Sequence, residues 1–350
     1  MSEVINPRRR HFLGTTAFGI GAMAMELTGF ARAQTTGAAQ LTAPSTSKAS
    51  AILFDQVKQI NAGLLNVGYV EMGPQNGPPV ILLHGWPYDI HSYVEVAPVL
   101  AAAGYRVIVP HTRGHGTTQF LRDKTFRNGQ QTAVALDTVA LMDALGIDKA
   151  ILAGYDWGSR TACVIAALWP ERCQAIVSAN GYIINNLEFN KHPLPPAAEH
   201  AWWYQFYFAT PRGQAGLEAN RRALAKVIWK ENSPKWQFDD ATFERSAASF
   251  DNPDYVAIVI HNYRWRLSLV AGEPQYDDLE RRLAAGPTIT VPAITIDGDA
   301  NGVAPASDGS AYARKFTGRH EHRIALGAGH NLPQEAPQAF ADAVIAVAKL

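Results

Sequence analysis

A carboxylate occupies a position where a hydroxyl is more usual. The stretch Gly154-Tyr155-Asp156-Trp157-Gly158 follows the apolar run KAILA and precedes the helical pattern RTACVIAALW. In a Gly-x-Ser-x-Gly sequence of this kind, a sharp strand-to-helix turn exposes a nucleophilic serine. Here Asp156 stands in the place of the serine, and the glycines on either side permit the turn. The spacing therefore predicts a nucleophilic aspartate.

An aspartate at such a turn indicates attack on a saturated carbon. A serine that attacked a saturated carbon would form an ether, which is a dead end, whereas a carboxylate forms an ester that water can cleave. The expected reactions are therefore epoxide opening and carbon–halogen cleavage through an ester of Asp156. A departing epoxide oxygen needs a proton donor, whereas a halide needs only weak donors around it. The alternative is a non-catalytic ligand-binding protein in which Asp156 only caps a helix.

Other candidate groups also follow predicted strands, where the reactive residues of parallel sheets gather. Asp299 follows AITIDG, and His330 lies in GAGHNLPQEAP after the last predicted strand. The chain order of nucleophile, acid and histidine predicts that His330 activates water and that Asp299 orients it. The backbone N–H groups of Trp157 and of Trp86, in HGWP, are the predicted oxyanion donors.

The elements that must position these residues alternate between short apolar strands and helical patterns, which predicts a parallel sheet covered on both faces. Residues 181–286 contain no buried-strand run and are predicted to form a helical cap inserted after the sixth strand. The α/β core is then expected over 51–180 and 287–350. The predicted strands are 65–73, 78–85, 105–110, 149–154, 173–180, 292–298 and 321–327.

The charge balance argues against some partners, and the N-terminal sequence indicates export. Lys and Arg balance Asp and Glu at 31 each, so nothing favours binding to nucleic acid or to an anionic membrane surface. Residues 1–33 show the order of a signal peptide, and Arg9-Arg10-His11-Phe12-Leu13 resembles a twin-arginine export signal; a Sec signal or a basic tail is the alternative. Residues 34–50 are predicted to be a flexible leader. We expect export to the periplasm or medium after cleavage near Ala33, with Cys163 and Cys173 as buried thiols.

The motifs HGWP, GYDWGS, DGDANGVAP and GAGHNLPQEAP resemble those of the α/β-hydrolase epoxide hydrolases, over nearly all of residues 55–350. The resemblance implies a mostly parallel eight-stranded sheet, a cis peptide before Pro87, no cofactor and no metal. It assigns epoxide activation to Tyr204, in WYQFYFATPRG, and to Tyr263, in HNYRWR. The implied partners are a small apolar epoxide and water; a homodimer is left open.

Some positions depart from the family pattern. His111 and His115 stand in a loop where the family usually has Asp and Tyr, and His115 is expected to line or buttress the site rather than to bind metal. Arg160 is at a place where the related haloacetate dehalogenases bind a carboxylate, but those enzymes have a further Arg where this chain has Trp157. Haloalkane or haloacetate dehalogenation is therefore the alternative function, and Arg160 is interpreted as a salt-bridge partner on its helix. The remaining predicted pocket residues are His84, Pro87, Gln205 and Phe208, with apolar walls from Trp86, Trp157, Trp202, Trp203, Phe206 and Phe208.

Overall fold

The computed structural model describes Phe54 and residues 56–350. The predicted signal peptide and leader lie outside these residues, so the expectation of export remains a prediction. Within the described part, no helix combines the length and apolar character that crossing a membrane requires.

A single twisted sheet carries the fold, in the order β1-β2-β4-β3-β6-β7-β8-β9, with β5 paired to β2. The strands from β4 to β9 along this order run parallel, whereas β1, β2 and β5 pair antiparallel at one edge. The strands are β1 Lys58–Ala62, β2 Leu65–Met72, β3 Pro79–Leu83, β4 Arg106–Pro110, β5 Gln119–Phe120, β6 Ala150–Gly154, β7 Cys173–Ala179, β8 Ala293–Gly298 and β9 His320–Ala325.

Helices cover both faces of the sheet, because the central strands are apolar on both sides. In β3, Val80 and Leu82 join one hydrophobic core, while Ile81 and Leu83 join the other. Continuous apolar runs of this kind are what a doubly covered parallel sheet requires. The helices are α1 Val96–Ala102, α2 Gln131–Ala144, α3 Trp157–Leu168, α4 Pro196–Ala201, α5 Trp203–Ala209, α6 Pro211–Asn232, α7 Asp240–Ala247, α8 Tyr255–Arg266, α9 Asp277–Ala284, α10 Ser310–Ala313, α11 Leu332–Glu335 and α12 Pro337–Val347.

The chain between β7 and β8 contains the helices α4 to α9 and no strand. These helices pack over the carboxyl ends of the parallel strands, because Phe208, Tyr255 and Tyr263 belong to the same hydrophobic cluster as Trp86 of the core. The cap therefore closes over the edge of the sheet where the candidate residues are found.

The predicted fold class is confirmed, because the sheet is mostly parallel with helices on both sides, but the sheet has nine strands where eight were expected. The sequence prediction missed β1 and β5, which lie at or near the antiparallel edge. The first of them, KQINA, is largely exposed, so it has no apolar run to reveal it. Cys163 and Cys173 are both buried and unpaired, as expected.

Candidate active site

The turn between β6 and α3 holds Asp156 in an unusual backbone conformation, with φ 51° and ψ −122°. Close packing leaves room only for glycine at position 158, because a Cβ there would collide with the carbonyl of Leu83. A non-glycine residue at positive φ costs free energy that the surrounding structure must offset, and such residues are concentrated at functional sites. The turn therefore presents the Asp156 carboxylate at the carboxyl edge of the sheet.

The loop after β3 provides one oxyanion donor. The Trp86 N–H donates to Asp156 Oδ1 at 2.9 Å, and the Trp86–Pro87 peptide is cis, as expected. A Cβ on Gly85 would lie 2.5 Å from the Asp156 Cβ, so only glycine lets this loop come so close. Because Oδ1 is held by the backbone, Oδ2 is the oxygen that is available to react.

His330 faces the second oxygen of the carboxylate. Its Nε2 lies 3.5 Å from Asp156 Oδ2, and its side chain is almost fully buried. Burial alone would raise the pKa of Asp156, but the hydrogen bond and charge of His330, the charge of Arg160 and the Trp86 N–H together lower it. Asp156 is therefore ionised at neutral pH, as a nucleophile must be.

The loop that carries His330 is fixed by two side chains that the sequence prediction missed. The His330 N–H donates to Ser233 Oγ at 3.0 Å, just after the long cap helix α6 ends. The Ser233 hydroxyl donates to Glu335, which also accepts from the N–H groups of Gly329 and Asn331. Serine and glutamate are common on surfaces, so no sequence pattern distinguished these two.

The structure does not bring Asp299 to His330. The Asp299 side chain is exposed, its Oδ1 accepts from the Gly327 N–H at 2.6 Å, and it forms no hydrogen bond or ion pair with the imidazole. The residue beside His330 Nδ1 is Asn301, whose Nδ2 lies 3.4 Å away. The loop after β8 turns between Gly298 and Asn301, so the side chain of Asn301, not that of Asp299, points back to the histidine.

Two buried phenols contributed by the cap complete the aromatic surroundings of Asp156. The rings of Tyr204 and Tyr263 lie 5.6 Å apart and pack against Trp86 at 5.5 and 5.2 Å. Burial, followed by the charge of Asp156, raises the pKa of Tyr204. Burial, followed by Tyr204 and Asp156, raises the pKa of Tyr263. Both phenols therefore stay protonated at neutral pH and can donate protons.

The predicted pocket residues fall into two groups. Phe208 packs against Trp86 and Tyr263, and Gln205 is buried on the same short helix, α5. His84 and His115 instead support the loops from behind. His84 Nδ1 bonds Gly85 O, its Nε2 accepts from the Thr112 N–H, and the His115 ring packs against His84.

The carbonyl oxygen of Pro87 also has a structural role, because it accepts a hydrogen bond from the Trp229 indole at 2.6 Å. Phe206 was predicted as a pocket wall, but 44 % of its surface is exposed. An open cavity of about 670 Å³ at the cap is lined by Asn185, Trp265 and Leu269 among others, and it does not include Asp156.

Arg160 lies on α3, one helical turn after Asp156, and is 7 % exposed. Among the described residues, the salt bridge expected for Arg160 is absent: its Nε donates to the Ile183 carbonyl, and its backbone N–H donates to the Asp156 carbonyl. Burial, followed by the positive charge of Arg266, lowers the pKa of Arg160 to about 10. The sequence prediction did not single out Arg266.

A carboxylate on a strained strand-to-helix turn, with a histidine from the loop after the last strand, defines a hydrolase of the nucleophile-elbow type. Comparison with known proteins agrees, because residues 78–337 match the alpha/beta hydrolase fold family. The chain belongs to this family.

Three individual proteins are similar to this chain in sequence or structure. A crystal structure of a candidate epoxide hydrolase from Klebsiella pneumoniae is 58% identical, with a TM-score of 0.84, and the match covers 85% of this chain and 99% of that one. Epoxide hydrolase B of Mycobacterium tuberculosis is 33% identical over 40% of this chain, and the chain spans only 42% of that relative. A haloalkane dehalogenase of Mycobacterium marinum is 27% identical over 57% of this chain and 67% of its own length.

Proposed function

We propose that the protein hydrolyses epoxides to vicinal diols through an ester of Asp156. The observation that carries the proposal is that two buried, protonated phenols, Tyr204 and Tyr263, pack against Trp86, whose N–H binds the ionised Asp156 carboxylate. Names of relatives with this fold include epoxide hydrolases, which supports the same reaction.

In the first step, Asp156 Oδ2 attacks one carbon of the epoxide ring while the bond from that carbon to the ring oxygen breaks. The departing oxygen takes a proton from Tyr204 or Tyr263 as its negative charge develops. A donor already aimed at the developing charge stabilises the transition state more than the ground state. The products of this step are a hydroxyalkyl ester of Asp156 and a phenolate.

In the second step, His330 takes a proton from water, and the resulting hydroxide attacks Cγ of Asp156. The negative charge that develops on Oδ1 is stabilised by the Trp86 N–H, which is already bonded to that atom. The N–H of Trp157 is the predicted second donor, since Trp157 is the first residue of α3. Collapse breaks the ester bond and leaves Asp156 as a carboxylic acid. The departing alkoxide takes the proton of that acid to complete the diol, and the imidazolium of His330 returns its proton to the phenolate.

Isotope labelling tests the covalent step directly. After one turnover in water enriched in the heavy oxygen isotope, Asp156 acquires label, because the diol receives its new oxygen from the carboxylate. His330→Gln should trap the ester, detected as an intact mass increased by that of the epoxide. Label found only in the diol, or an Asp156→Ala variant that keeps its activity, would contradict the proposal.

Carbon–halogen cleavage is the second candidate. The indole N–H of Trp157 is buried beside Asp156 and has no hydrogen-bond partner among the described residues, so it is a weak donor of the kind that a halide needs. Dehalogenation needs no proton donor, so it should survive the double change Tyr204→Phe and Tyr263→Phe. Halide release from haloalkanes and haloacetates, measured beside diol formation, separates the two functions.

A further inference from the structure

The last turn of the cap helix α6 is bonded to two of the loops that carry the site. The Trp229 indole donates to the Pro87 carbonyl at 2.6 Å, in the loop after β3. The Asn232 carbonyl accepts from the Gly302 N–H at 2.9 Å, in the loop after β8. A Cβ on Gly302 would collide with the Glu231 carbonyl, so only glycine lets this loop approach the helix so closely.

A third loop, which carries His330, is held by the buried hydroxyl of Ser233, the residue directly after α6. Ser233 Oγ accepts from the His330 N–H at 3.0 Å, and its proton is donated to Glu335 Oε1 at 2.6 Å. Glu335 also accepts from the N–H groups of Gly329 and Asn331, at 2.7 and 3.0 Å. One hydroxyl and one carboxylate therefore hold the N–H groups of three consecutive residues, with His330 in the middle.

The His330 ring lacks the carboxylate that usually fixes the direction of a catalytic imidazole. In a triad, an acid bonded to the ring holds it in its working orientation. Within the described part of the chain, Asp156 is the only carboxylate that pairs with His330, and the contact with the Asn301 amide is long, at 3.4 Å. The direction of the ring therefore depends strongly on the backbone that carries it.

We propose that Ser233 and Glu335 are the positioning residues of His330, so that the end of the cap helix supplies orientation that an acid supplies in a triad. The inference rests on the proposed function, because His330 is taken to act only when the Asp156 ester is hydrolysed. Loss of the Ser233 hydroxyl would leave the buried His330 N–H without an acceptor, which is costly enough to shift the loop. A displaced imidazole would slow ester hydrolysis, whereas ester formation, which depends on Asp156 and the two phenols, would continue.

Separate measurement of ester formation and ester decay tests the proposal. In a rapid-quench time course followed by intact mass, Ser233→Ala should slow decay of the Asp156 ester by about tenfold or more and leave its formation within about threefold. Glu335→Gln should have the same effect, because an amide nitrogen cannot accept and at least one contact with the loop is lost. This second variant carries the test if Ser233→Ala does not fold.

Ser249→Ala is the matched control. Ser249 is another buried serine of the cap, but its hydroxyl has no hydrogen-bond partner among the residues that the structure describes. Its removal should leave both rates within about twofold. A positioning role for Ser233 therefore predicts a change in one step only, whereas general damage to the cap would slow formation and decay together.

The place of the imidazole is a second readout, and it needs no epoxide. The distance from His330 Nε2 to Asp156 Oδ2 is 3.5 Å, and crystal structures should show it longer by about 1 Å in Ser233→Ala than in the wild-type protein. A displaced imidazole in a protein that forms no ester would support the positioning role and refute the proposed function. An ester that decays at the wild-type rate in both variants, or equal slowing of formation and decay, would overturn the positioning role alone.

Discussion

Asn301→Asp is the change that best tests how His330 is controlled. Asn301 Oδ1 accepts from the N–H groups of Val303 and Ala304, at 2.9 and 3.1 Å, which turns the amide nitrogen toward His330. An amide NH₂ can only donate, so in this arrangement the neutral imidazole accepts at Nδ1 and carries its proton on Nε2. Nε2 faces Asp156, so His330 can take a proton from water there only after its own proton has moved to Nδ1, a shift that the Asn301 amide opposes.

An aspartate at 301 would still accept from the N–H groups of Val303 and Ala304, but toward His330 it would accept a hydrogen bond where the amide donates one. Its second oxygen would accept from Nδ1–H, leaving Nε2 free to take a proton, and it would stabilise the imidazolium that forms. At the 3.4 Å separation of Asn301 and His330, and at an effective dielectric constant of about 20, unit charges attract by about 5 kcal/mol. The cost of burying the new carboxylate reduces this gain, so we expect ester hydrolysis to accelerate about 10²-fold, below the roughly 10⁴-fold loss seen when a protease triad loses its carboxylate.

The assay is a rapid-quench time course in which intact mass follows the formation and decay of the Asp156 ester. We expect the Asn301→Asp variant to form the ester at an unchanged rate and to lose it faster. Asp299→Asn is the control, and it should leave both rates within about twofold, because the Asp299 carboxylate bonds Gly327 instead. If Asp299→Asn stops ester decay while Asn301→Asp has no effect, then Asp299, and not Asn301, orients His330 during the reaction.

Three further predictions follow from the structure. For epoxides, Tyr204→Phe and Tyr263→Phe should each slow ester formation about tenfold or more, and the double variant should be slower than either; unchanged single-turnover rates would exclude the phenols as proton donors. Burial lowers the pKa of His111 to about 3, so from about pH 6.5 down to about pH 3 the unfolded chain binds a proton that the folded chain does not. His111 should therefore lower the free energy of unfolding by about 1.4 kcal/mol for each pH unit that the pH falls within this range. Urea titrations at several pH values should show a shallower dependence of the unfolding free energy on pH in His111→Asn, and an unchanged dependence in a variant of the exposed His200. Gly158→Ala should lower stability and activity together, because its Cβ would meet the Leu83 carbonyl; a fully active, equally stable variant would show that the turn can shift.

The sequence predicted the parts of the site that depend on local backbone shape. The strand-to-helix turn at Asp156 is encoded by apolar runs and by nearby glycines, all within a few residues. His330 follows the last strand in the same direct way. Such features can be predicted from the sequence because the residues that determine the backbone shape are close in sequence to the residue that they position.

The parts that were missed depend on contacts between distant segments. Asp299 and Asn301 are two residues apart in one loop, and only the turn after β8 decides which of them faces His330. An acidic residue was the natural choice from the sequence because a triad usually has one, and an amide gave no signal. Arg266 was missed for a similar reason, since only the folded cap helix α8 places its guanidinium over the Tyr263 ring.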